Sequence, residues 1–159
     1  MKFLESIIND LTILENELDT IASNSIKENS SEIVILVKRQ LSHGKNSYDQ
    51  PLSFTDGNQS GTGFYAESTQ SFANRDGVSI PKTKGSPYNF HWTGQTKDNM
   101  QMGEVGNGKY QVVTVKSRMS FLEGIYGEIF NLNEKNNQWV NNEVVSPKLN
   151  KAILRTISI

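Results

Sequence analysis

The 159-residue sequence contains no cysteine, which excludes disulfides, thiolate metal sites and cysteine nucleophiles. Apolar residues are sparse too. Hydrophobic content is 35% and mean hydropathy −0.51, low for a chain that buries a core unaided and in keeping with one that completes its burial against neighbours. No apolar run reaches the length a membrane helix needs. Charge of one sign is lacking as well: the net charge is −1 and the pI near 6.1, whereas a duplex binder shows a basic excess. Glu5 and Asp10 follow Met1-Lys2-Phe3 at once, so the n- and h-regions of a signal peptide are missing, and a cytoplasmic origin is expected. Gly-x-Ser-x-Gly and His-Glu-x-x-His do not occur. Gly44-Lys45 lacks the upstream glycine of a phosphate loop, and Asn46 stands where Ser or Thr belongs. The length fits a single domain, 1–159. No enzymatic activity is expected.

What is present begins with helix. Leu4, Ile7, Ile8, Leu11, Leu14, Leu18, Ile21 and Ala22 recur at three- and four-residue steps, an amphipathic stripe. Residues 3–43 are expected to be helical with one break. Ser30 or Ser31 is a candidate cap for the second segment, and Ile33, Val34, Leu36, Val37 and Leu41 continue the apolar face up to a stop at Gly44. Residues 45–84 are rich in Gly, Ser, Asn and Gln, with turn signals at Asp56-Gly57, Gly61-Thr62-Gly63 and Asp76-Gly77. They predict a long loop or arm, of the kind that is functional or ordered by a partner. Phe54, Phe64, Tyr65 and Phe72 interrupt its polarity and, with Tyr88 and Trp92, are the candidate interface residues.

Residues 85–159 predict an α+β module. Phe90 to Trp92 reads as extended, and Thr93 as the cap of a short helix over 94–100. Asn107-Gly108 is a tight-turn pair leading into a strand over 109–117, carried by Tyr110, Val112, Val113 and Val115. Phe121, Leu122, Ile125, Tyr126, Ile129 and Phe130 form a helical stripe, Asn133 caps a helix through Trp139, and Ser146-Pro147 starts a last one.

Asp56, Asn58, Ser60, Gly61 and Glu67 match the spacing of an EF-hand calcium loop. The pattern has force because alternate oxygens wrap one hard cation only where the backbone turns sharply. Against it, Gly63 holds the eighth position and Pro51–Thr55 is a poor incoming helix, so no metal ligand is assigned, and no cofactor. His43 and His91 are far apart, and His91 beside Trp92 is read as packed rather than as a base. The aromatics offer a stacking platform, but Asp76 and Asp98 offset Lys82, Lys84 and Lys97, so no specific nucleic-acid contact is expected.

The order of features carries a resemblance. A helix ends near Gly44-Lys45; a Gly-rich loop holds Tyr65-Ala-Glu-Ser68 and then Lys84-Gly85; Thr93-Gly94 precedes Asn99-Met100 and a β segment. Leu122-Glu-Gly-Ile-Tyr126-Gly-Glu-Ile-Phe-Asn-Leu132-Asn-Glu134 and a Pro147-containing helix follow. This resembles the small neck, tail-completion or minor-tail proteins of tailed bacteriophages, in the version found in phages of Bacteroidetes-type hosts. Phe90-His-Trp92 departs from the aliphatic residues commoner there. The resemblance implies an α+β fold, with a long N-terminal helix and C-terminal helices on a small, mostly antiparallel sheet. It implies a non-enzymatic virion subunit that forms a homo-oligomeric ring at the head–tail junction or tail, between portal or connector and tail proteins. DNA would pass through the ring, and no membrane is involved. The alternative is a small carbohydrate- or calcium-binding module using Asp56–Glu67 and Trp92. A hydrolase using His91 ranks third.

Overall fold

The computed structural model describes residues 2–56, 59–89, 95–106 and 108–157. Helix α1 (Lys2–Glu28) and helix α2 (Ser30–Ser42) are separated by a break at Asn29. Two three-residue strands, β1 (Phe54–Asp56) and β2 (Gln59–Gly61), pair antiparallel, and helix α3 (Glu67–Arg75) follows. The short α4 (Gln95–Asp98) leads into β3 (Gln101–Gly106) and β4 (Lys109–Val113). Helices α5 (Lys116–Tyr126) and α6 (Glu134–Trp139), a π-helical stretch over Val140–Val145 and α7 (Ser146–Ile157) complete the chain. The fold is α+β: helices around two small antiparallel hairpins.

Helix α2 is the centre of the core. Ile33, Val34, Val37 and Leu41 lie on one face of it and are buried, as their three- and four-residue spacing requires. They meet Leu52, Met100, Val112, Leu122, Ile129, Phe130, Val140 and Val144. The second half of α1 packs on α7 and on the π-helical stretch. It also reaches the β3–β4 hairpin, where the Ser23 hydroxyl lies 2.6 Å from that of Tyr110.

Several sequence expectations need correction. Residues 45–84 are not a continuous loop: they carry a hairpin and a nine-residue helix, and Leu52 sits fully buried in the core. The second strand ends at Val113 rather than at 117. Ile129 and Phe130 do not extend a helical stripe, because α5 stops at Gly127 (φ 72°), and both side chains enter the core from the turn beyond it. Helix α7 does begin at Ser146, but Ser146 is not an N-cap: it already has helical dihedrals, and helical conformation is unbroken from 134 to 157. Pro147 has no N–H to give and its ring crowds the carbonyl four residues back. The widened π turn immediately before it is a known way for a helix to absorb such a break.

Other expectations match. The break between α1 and α2 is present, but the cap position is Asn29 rather than Ser30 or Ser31, which lie inside α2, and no side chain caps the helix. Gly44 ends the helical region with φ 68°. Asn133 caps α6, its side-chain oxygen accepting from the Asn136 N–H at 2.9 Å.

Candidate assembly surfaces

The sequence stripe of α1 has two fates. Toward the C-terminal end, Leu18, Ile21, Ala22 and Ile26 are at least partly covered and Ser25 is fully buried. Toward the N-terminal end the same face is bare: Leu4 is 63% exposed, Ile8 63% and Leu11 60%. A helix of 27 residues is about 40 Å long at 1.5 Å per residue, long enough to run past the body it packs on. Three large aliphatic side chains in one line, at positions 4, 8 and 11, are a patch rather than scattered exposure.

The candidate interface aromatics divide. Phe64 and Phe72 are exposed, and the Arg75 guanidinium lies 5.0 Å from the Phe72 ring. Tyr65 and Tyr88 instead pack within the molecule, half-buried, with ring centres 5.0 Å apart, and Tyr88 meets Tyr126 edge-on at 6.5 Å. Phe54 lies in β1, and Trp92 lies outside the described residues, as do His91 and Thr93-Gly94.

Behind this tyrosine cluster sits Lys82, 1% exposed. Its ammonium donates to Asn89 Oδ1 and lies 5.2 Å from the Tyr65 ring centre, a cation–π contact. Asn89 Oδ1 also accepts from the Tyr65 hydroxyl at 3.0 Å. Burial, with help from the nearby Lys97 charge, lowers the Lys82 pKa to about 8. Burial likewise pushes the Tyr126 hydroxyl up to about 12. A cation so enclosed has no surface for a substrate, so its place is structural. Nothing in the local sequence around Pro81-Lys82 signals its burial.

A cavity of about 1310 Å³ is an open groove between α2, the 45–49 turn and α6. Exposed Tyr48 and Trp139 stand at its sides. Several of its amides are engaged within the molecule. Buried Gln40 donates to the Asn131 carbonyl at 3.1 Å and accepts from the Asn133 N–H at 3.0 Å; Gln138 donates to Glu134 and Asn131 to Glu128. The Gln40 bonds hold α2 to the 131–139 segment, while the Gln138 and Asn131 amides are bonded to neighbouring carboxylates.

Asp56 and Ser60 belong to opposite strands of the β1–β2 hairpin, and Asn58 lies outside the described residues. Glu67 opens α3 and pairs with Lys84 at 3.0 Å. Among the described residues no group of three or more His, Asp or Glu side chains is placed to hold a metal ion. His43 closes α2, its Nδ1 2.7 Å from the Arg39 carbonyl. No described helix is long and apolar enough to cross a membrane.

Comparison with known proteins found no matching family model, no matching curated protein and no matching solved structure.

Proposed function

We propose that this chain is a structural subunit of a tailed-bacteriophage virion, a neck or tail-completion protein that acts by assembling, not by catalysis. In this reading copies form a ring between portal and tail, and DNA passes through it. The observation that carries it is the bare half of α1. Leu4, Ile8 and Leu11 continue a stripe that the chain buries elsewhere, which is the form expected of a surface completed by a neighbour. The internally bonded Gln40 of the groove and the enclosed Lys82 are consistent with this reading.

The test is light scattering of the purified chain across concentration, with and without calcium. Mass that rises with concentration and ends at a ring-sized oligomer supports assembly. A strict monomer whose melting temperature climbs with calcium points instead to the binding-module reading, since a ligand bound only by the native state must stabilise it.

A further inference from the structure

The charge of this nearly neutral chain is unevenly placed. The first nineteen residues contain Glu5, Asp10, Glu15, Glu17 and Asp19 against the single basic residue Lys2. Helix α7 contains Lys148, Lys151 and Arg155 and no acid. Among the described residues, Lys148 is paired with Glu28 of α1, but no ion pair engages Glu5, Glu15, Glu17, Asp19, Lys151 or Arg155. The cations of α7 flank an apolar spot: Leu154 is 62% exposed, in a shallow recess of about 460 Å³ shared with Pro147, Asn150, Lys151 and Arg155.

We propose that the N-terminal half of α1 seats on the outer face of α7 in a second copy of this chain. Leu4, Ile8 and Leu11 would cover Leu154, with the acids of α1 meeting Lys151 and Arg155. The inference rests on the assembly reading above and names its contact. Charge decides the occupant. Pairing α1 with α1 sets acid against acid, and pairing α7 with α7 sets cation against cation, whereas α1 on α7 is complementary. The exposed Phe72 competes poorly, because the cation beside its ring, Arg75, is already paired with Asp76 at 3.1 Å. The contact joins two different patches, so it is heterologous. An open chain of copies keeps one free α1 half at one end and one free α7 face at the other until a ring closes.

The absence of cysteine makes the test direct. Leu11→Cys and Leu154→Cys are made separately, both at exposed positions, and treated with a short bismaleimide. The expected result is a cross-linked dimer when the two variants are mixed and little when either is alone, with a ladder from the chain carrying both. A dimer of Leu11→Cys alone, as abundant as that of the mixture, overturns the proposal in favour of α1–α1 pairing. A second measurement guards against a distorted variant. Lys151→Glu with Arg155→Glu should weaken self-association by about tenfold or more, and adding Glu15→Lys with Glu17→Lys should restore it. If the unmodified chain associates but is indifferent to these reversals, the α1–α7 contact is wrong and the assembly reading stands. If the unmodified chain stays monomeric at every concentration, the contact and the self-assembled ring fall together.

Discussion

Gln40 is a polar side chain in the middle of an otherwise apolar helix face, and it is buried because it serves as a clamp. Its amide donates to the Asn131 carbonyl and accepts from the Asn133 N–H, and Asn136 lies 3.4 Å away. Gln40→Ala leaves both backbone groups without that partner, and unfolding in urea should show a loss of about 2–3 kcal/mol. Gly44 is constrained differently. At φ 68° an added Cβ would lie 2.6 Å from Pro87 Cβ and 2.8 Å from the Tyr88 carbonyl oxygen. Gly44→Ala therefore costs the left-handed backbone term of about 1–2 kcal/mol and, beyond it, displacement of the 85–89 segment. Lys82 gives a pH signature. Its folded pKa of about 8 is below the unfolded value of 10.5. Between those values the unfolded state holds more protons, so rising pH favours the folded chain, and below pH 8 a constant penalty remains. Relative to Lys82→Met, the native chain should gain stability from pH 8 to 10 and run parallel below 8. Parallel curves throughout would mean that Lys82 titrates as an exposed lysine does.

At the scale of elements, α6 depends on one cap. Asn133→Ala should cost about 1 kcal/mol, and Asn133→Ser or Asn133→Asp should recover most of it, as read from denaturant midpoints. That cap is legible in the sequence because the polar Asn133 and the first-turn Glu134 stand next to each other. The faces of α1 and α2 are legible for a related reason: period 3.6 is a local property, and the apolar residues repeat it without interruption. The rest is not local. Three-residue strands such as β1 and β2 are too short to show alternation, and their polar composition reads as loop. Ser146-Pro147 has the form of a helix start, yet the helix reaches it already formed. Ile129 and Phe130 keep helical spacing with Leu122 and Tyr126 although Gly127 has ended the helix. The candidate surface divides in the same way. Periodicity says that Leu4, Ile8 and Leu11 share a face with Leu18 and Ala22. Only the packing shows which half of that face is covered, and nothing near Lys82 announces that it will be enclosed.

For the molecule as a whole, the question is how strongly such a surface would hold copies together. Full burial of Leu4, Ile8 and Leu11 is worth about 1.5–3 kcal/mol each. Association costs about 4–15 kcal/mol in lost translational and rotational freedom. The apolar term alone therefore leaves a single contact close to break-even. The exposed charge pairs of α1 and α7 add at most about 1 kcal/mol each, less as salt rises. A lone pair of copies should be weak, and closure of a ring, in which every added copy makes contacts on both sides, is what would make the assembly persist. Removing residues 1–12 should then separate folding from assembly. Among the described residues, none of those positions contributes a side chain to the buried core, so the melting temperature of the monomer should move little. Self-association should disappear across the concentrations at which the full chain grows in mass. Sedimentation equilibrium at low and high salt checks both terms: the full chain should shift toward monomer as salt rises, and the shortened chain should be monomeric at either. A shortened chain that still assembles would move the contact to the Phe64 and Phe72 side of the molecule.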